Sequence, residues 1–201
     1  MTFREFHDLK YHVMGMLRQG LSQEIYYHTP AHTLDVMISA ESIAVNEGIT
    51  DEKELMKLRL ATLFHDTGYL VSPVEHERYS CDIARKELAG YVKDPVVMEE
   101  ICDLIMATMI PQQAKSKLAT IICDADLDYL GRKDYYEIAQ KLKDEFMQRG
   151  LIKSDAQWCR MQIDFMKSHS FFTATSKKLR EPEKQKRIHE LEQQLIALSA
   201  S

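Results

Sequence analysis

Several stretches of the chain carry side chains that could hold a metal ion or move a proton. The first is Tyr27-His28-Thr29-Pro30-Ala31-His32, with two imidazoles four residues apart. Proline is favoured at the first helical position and Thr29 suits an N-cap. His32 then falls in a first helical turn, on a backbone that can hold a ligand still. His28 lies just before the cap and faces the same end. A surface or capping-region side chain is the bland alternative for either. The second stretch is Phe64-His65-Asp66-Thr67-Gly68, where an adjacent His and Asp close a strongly apolar run. Burying both costs several kcal/mol unless each is paired or bound to metal. A metal satisfies both at once, and imidazole nitrogen with carboxylate oxygen suits Fe, Mn, Zn, Ni or Co better than Ca. A buried, hydrogen-bonded His–Asp pair is the alternative.

The third is Ile121-Ile122-Cys123-Asp124-Ala125-Asp126-Leu127-Asp128. Residues two apart on a helix do not share a face. Asp124 and Asp126 therefore cannot both point into one site; one is a ligand, and the other caps, pairs or faces solvent. A further histidine, His76, in His76-Glu77 with Ser80 following, reads on its own as a surface residue at a helix start.

These residues need a scaffold, and the hydrophobic spacing supplies helices almost throughout. The first is expected over about Phe3 to Arg18, ending at Gly20, the second from Pro30 to a stop at Gly48, and the third from Asp51 to a stop at Gly68. Leu55, Leu58, Ala61, Leu63 and Phe64 make the third apolar on more than one face, so it should be central. Further helices are expected at Glu75–Leu88, Pro95–Met109, Lys115–Tyr129, Lys133–Arg149, Ser154–His169 and Pro182–Leu198, with Pro111 and Gly131 as breaks. Strand-type alternation is nearly absent, so the fold class is all-α, a helical bundle. With no repeat or Gly/Ser linker, residues 1–201 read as one domain.

Composition narrows the function classes. The net charge of −5 carries no basic excess for a nucleic-acid polymer. A small anionic substrate would instead need a local cation. Cys81, Cys102, Cys123 and Cys159 are widely spaced in apolar helical contexts and read as buried free thiols of a reducing compartment. No apolar run is long enough for a membrane span, and the N-terminus lacks a signal-peptide pattern, so a cytoplasmic location is expected.

The ordered set His32, His65-Asp66 and Asp126 resembles the HD superfamily of metal-dependent phosphohydrolases. The resemblance covers roughly residues 20–135, with 135–201 as a C-terminal helical extension similar to that of an uncharacterised subgroup. Tyr27-His28 followed by His32 also looks like the segment that opens cyclic-nucleotide phosphodiesterase sites. The resemblance implies a divalent transition metal (Fe, Mn, Zn, Ni or Co, with Mg a further candidate), one or two ions, held by His32, His65, Asp66 and Asp126. It favours Asp126 over Asp124 as the last ligand. Asp66 would bridge if two ions bind. His76 would face a second ion or a substrate phosphate, although Ser80 stands where many phosphodiesterase-type members have Gly. The implied reaction is hydrolysis of a phosphomonoester or phosphodiester, of a nucleotide, by metal-activated water, with His28, Asp66 and His76 as the catalytic side chains. His28 would give the leaving oxygen a proton, a role imidazole suits near neutral pH.

The expected partner is a small phosphorylated molecule, with no nucleic-acid polymer and no membrane; a homodimer through the last helix is a further candidate. Lys177, Lys178 and Arg180 are either a solvated face or a reach toward the anion. Met161, Phe165, Phe171 and Phe172 are expected to pack on the bundle. His7, His12, His169 and His189 read as structural. Two rivals remain from other classes. One is a degenerate HD domain that only binds a nucleotide or protein. The other is a di-iron oxygenase, which needs extra histidine ligands, for which the chain offers only His76.

Overall fold

In the computed structural model, which describes residues 1–199, every regular element is helical. The elements in order are α1 (Phe3–Gly20), α2 (Pro30–Asn46), α3 (Glu52–Phe64), α4 (His76–Leu88), α5 (Pro95–Ala107), α6 (Lys117–Asp126), α7 (Tyr135–Gln148), α8 (Asp155–Ser168) and α9 (Ala174–Ser199). Short 3-10 turns follow α3 (Thr67–Leu70) and α6 (Asp128–Gly131). The all-α expectation holds, and no helix among the described residues is long and apolar enough to cross a membrane.

Two hydrophobic cores organise these helices. The first is built by α1 to α6, with Leu58, Leu63 and Phe64 of α3 among its fully enclosed side chains. Ile101 and Ile105 of α5 and Ile121 and Ile122 of α6 close it. This is the central position that the multi-faced apolar pattern of α3 requires. The second core joins α7, α8 and α9 to Tyr27, Leu127, Tyr129 and Leu130. Phe171 is buried there, Met161 and Phe165 pack on it, and Phe172 packs on the first core. All four cysteines are free and buried.

Three element boundaries differ from the sequence expectation by three residues or more. Helix α3 stops at Phe64, so His65 is the cap and Asp66 lies beyond the helix rather than on it. Helix α6 likewise ends at Asp126 instead of running to Tyr129. Helix α9 begins at Ala174 and passes through Pro182, which the sequence reading took as its start. The start signal is Thr173, whose hydroxyl accepts from the Ser176 N–H at 3.1 Å. Anchors on both sides of Pro182 keep the helix going: Arg180 on Asp128, and Lys184 on the His169 carbonyl at 2.6 Å. At the end of α2, Gly48 adopts a left-handed φ of 74°, and the Ile49 N–H turns back to the Ala44 carbonyl at 2.9 Å.

Candidate metal centre and its neighbours

Three elements converge on one point. Helix α2 brings His32 in its first turn, the end of α3 brings His65 and Asp66, and the last residue of α6 is Asp126. One ligand atom each from His32, His65 and Asp66 lie within 4.8 Å of one another, and all three residues are buried. Nε2 of His65 is 3.4 Å from Nε2 of His32, so two imidazole nitrogens face each other. Oδ1 of Asp126 lies 3.2 Å from Nε2 of His32 and 3.5 Å from Nε2 of His65.

The position of Asp66 is the most informative. Its Oδ2 is 3.3 Å from His32 Nε2 and 3.2 Å from His65 Nε2, yet this buried oxygen has no hydrogen-bond partner. Buried carboxylate oxygens are rarely left unpaired. A convergent set of two imidazoles and an orphaned carboxylate oxygen is what a borderline-soft divalent cation satisfies. The tautomer of His65 agrees. Its Nδ1–H donates to the Thr62 carbonyl at 2.8 Å, which turns the lone pair of Nε2 toward the cluster.

Electrostatics point the same way. Burial works against the charged form of His32, but the carboxylates of Asp126 and Asp66 outweigh it and lift its pKa to about 9. Burial likewise opposes charge on His65, and Asp66 and Asp126 raise it well above the usual range. For Asp66, burial is outweighed by the imidazoles of His65, His32 and His76, which hold it well below the ordinary carboxylate range. Asp126, against the same burial penalty, is drawn down to about 2 by His32 and His65. Carboxylates that retain protons on two buried imidazoles would retain a cation in their place.

His76 joins the cluster from the start of α4, with Nε2 3.3 Å from Asp66 Oδ1 and 3.5 Å from Glu77 Oε1. Its approach depends on Gly68, where a Cβ would lie 1.9 Å from the His76 carbonyl oxygen. Ser80, the residue that stands in place of Gly, locks this joint. Its hydroxyl donates to the His65 carbonyl at 2.6 Å and accepts from the Gly68 N–H at 2.8 Å.

Asp124 is turned away from the cluster. Its Oδ1 accepts from Phe172 N–H at 2.8 Å, and its Oδ2 from the Thr173 N–H and hydroxyl at 2.8 and 2.6 Å. Asp128 is taken by Arg180, at 2.7 and 3.1 Å, so that arginine is a structural partner and not a free cation. Lys177 and Lys178 are exposed. His7, His12 and His189 are exposed too, away from the cluster.

His28 sits beside the centre, its ring centroid 5.9 Å from that of His32. Two of its neighbours lie outside the motifs singled out in the sequence. Glu145 of α7, wholly buried, places Oε1 2.6 Å from His28 Nδ1. Its Oε2 accepts from the N–H groups of Tyr26, Tyr27 and His28 at 3.2, 3.0 and 3.3 Å. Burial opposes its charge, but these bonds from His28 and the backbone lower its pKa. The available signal was a carboxylate sharing a helical face with Ile138 and Leu142, at the end of an apolar stripe. The other neighbour is Tyr69, whose hydroxyl is 3.0 Å from His28 Nε2. Tyr69 follows Gly68 in the turn after the His-Asp pair.

The family comparison matches this geometry to a known domain. The HD domain family model aligns with residues 30–128, which contain His32, His65, Asp66 and Asp126. His28, two residues before that span, and Glu145, beyond it, lie outside the matched stretch. Neither a curated protein nor a solved structure matches the chain. Residues 30–128 are thus an HD domain, the domain of the HD superfamily of metal-dependent phosphohydrolases, and the His/Asp cluster lies inside it.

Proposed function

We propose that the protein hydrolyses a small phosphomonoester or phosphodiester, of a nucleotide, and that residues 1–201 act in this as one unit. The observation that carries the reading is the buried Asp66 Oδ2, set between two imidazole nitrogens without a hydrogen-bond partner. His32, His65, Asp66 and Asp126 would hold a divalent transition metal. Bound there, it supplies Lewis acidity toward a phosphoryl oxygen and makes a water acidic enough to attack near neutral pH.

The chain's own groups do the rest. Thr62 fixes the tautomer of His65. Asp66 turns Oδ2 to His32 and His65 and Oδ1 to His76, so its two oxygens serve two positions. His76 is then available to a second ion or to a phosphate oxygen. His28, backed by Glu145 and lying beside the centre, is the source of the proton that the leaving oxygen needs.

The test is elemental analysis of untagged protein purified without chelators, wild type beside Asp66→Ala, followed by a screen of nucleoside monophosphates, cyclic nucleotides and para-nitrophenyl esters. We expect near-stoichiometric Fe, Mn, Zn, Ni or Co in wild type, and loss of metal and of turnover together in the variant. Two ions per chain place His76 on metal; one leaves it for substrate. No metal in either protein after reconstitution would overturn the hydrolase reading and favour a binding module. Strictly oxygen-dependent turnover would favour the oxygenase.

A further inference from the structure

His28 has no free nitrogen. An imidazole carries only two polar atoms. Nδ1 is held by Glu145 at 2.6 Å and Nε2 by the Tyr69 hydroxyl at 3.0 Å. A substrate oxygen therefore has no direct access to His28 in this arrangement. What stands at the open end of the Glu145–His28 pair is the phenol.

Tyr69 is also fixed in place. Its ring lies flat on His28, with centroids 4.1 Å apart and planes at 16°, and its centroid is 4.5 Å from that of His76. The turn that carries it is pinned at Gly68, by the Ser80 hydroxyl at 2.8 Å and by the close approach of the His76 backbone. Swinging the ring aside would break a stack and a hydrogen bond at once.

We propose that Tyr69 is the catalytic residue that hands a proton to the departing oxygen, with His28 behind it as the source and Glu145 as a positioning residue. The step rests on the hydrolase reading above. As the bond from phosphorus to the leaving oxygen breaks, that oxygen takes the Tyr69 hydroxyl proton. In the same event the phenolic oxygen takes the proton on Nε2 of a His28 imidazolium, so no phenolate accumulates. His28 is left neutral, its Nδ1–H still on Glu145. The attacking water supplies the new oxygen on phosphorus and releases one proton to solvent, and solvent later returns one to Nε2.

Tyr69→Phe keeps the ring and removes the hydroxyl. The probes are a pair of esters. Para-nitrophenyl phosphate loses a phenolate that departs without a proton, and a nucleoside monophosphate loses an alkoxide that needs one. If the screen returns a diesterase, bis(para-nitrophenyl) phosphate and a cyclic nucleotide replace them. We expect kcat on the alkyl ester to fall about 100-fold, the size of a lost general acid, with a much smaller fall on the aryl ester. KM should hold, and His28→Ala with Tyr69→Phe should be no slower than His28→Ala alone.

A readout without turnover comes from nitrogen-15 histidine spectra of the metal-free protein. Tyr69→Phe should move the Nε2 resonance of His28 and leave Nδ1, and Glu145→Gln should move Nδ1. Equal losses on both esters, full alkyl-ester turnover in Tyr69→Phe, or an unmoved Nε2 would overturn the proton step. If Asp66→Ala abolishes turnover while Tyr69→Phe does not, the step alone fails. If wild type holds no metal and cleaves no ester, the hydrolase reading fails and takes the step with it.

Discussion

Asp124 and Glu145 are both wholly buried, and each holds the backbone of a segment distant in the chain. Asp124 leaves the HD segment to grip the N–H groups of Phe172 and Thr173, where α8 passes into α9. Glu145 leaves α7 to grip the N–H groups of Tyr26, Tyr27 and His28, just before α2. The two carboxylates are alike in burial and in their backbone partners, and they differ in one respect. Glu145 has an imidazole on its second oxygen; Asp124 has the Thr173 hydroxyl. For Asp124 burial prevails over its hydrogen bonds and raises the pKa, whereas for Glu145 the bonds prevail over burial and lower it. A buried carboxylate with only neutral donors ties two segments together. One that also holds an imidazole sets that ring's tautomer, and a tautomer can matter to chemistry.

The sharpest way to break this comparison is to neutralise each carboxylate in turn. In Glu145→Gln the amide oxygen can still accept from the backbone, but the amide nitrogen faces His28 Nδ1 and forces the other tautomer. Turnover of an alkyl phosphoester should fall about 100-fold or more, with the fold intact by circular dichroism and metal content unchanged. Glu145→Asp, which restores a carboxylate on a shorter stem, should recover part of the loss. Asp124→Asn leaves one backbone N–H of the α8–α9 joint without an acceptor and should lower unfolding stability by about 1–2 kcal/mol in denaturant melts, with kcat unaltered. Equal effects of the two substitutions on kcat would erase the distinction.

Acid separates the two regions by a different route. The joint that Asp124 clamps also contains His169, whose pKa is pushed down to about 4 by burial and by the Lys184 ammonium. Its Nε2 is a buried atom without a partner. A folded pKa below the free value of about 6.5 means the unfolded chain binds the proton more readily. His169 therefore contributes stability in full above about pH 6.5, and that contribution is lost as pH falls toward 4, roughly 2–3 kcal/mol in all. Glu145, with a lowered pKa, contributes stability above the ordinary carboxylate range that is lost only in stronger acid. Melting temperature followed from pH 7 to pH 4.5 should drop in wild type and stay flatter in His169→Phe. A parallel drop in both would show that another group controls this window.

The same division governs what could be read without coordinates. That His32, His65, Asp66 and Asp126 gather at one point was legible because their side chains share the atom types a metal takes, and because polar residues interrupt apolar helices conspicuously. That Asp124 and Asp126 must diverge followed from helical geometry alone. What the residues around His28 do was not legible. Glu145 contacts a ring 117 positions away, and Tyr69 is one tyrosine among nine until the turn at Gly68 aims it. Helix ends were misjudged where a tertiary anchor overrides local preference, as when Arg180 and Lys184 carry α9 through Pro182.

The smallest expected effect concerns the heads of the two helices that carry His32 and Asp126. Ser116 and Thr29 occupy the same N-cap position, each before a helix. Ser116 accepts from the Ala119 N–H at 3.1 Å, but Thr29 makes no side-chain cap bond. Pro30 at the first position removes one of the N–H groups a cap would serve, and Glu145 already fixes the backbone just upstream. Ser116→Ala should then cost about 1 kcal/mol and Thr29→Ala only a few tenths, measured by chemical denaturation. A full cap-sized loss at Thr29 would mean that its hydroxyl finds the α2 backbone in solution. The entry to α2, and the placing of His32 with it, would then depend on the helix's own cap and not on the carboxylate that α7 lends it.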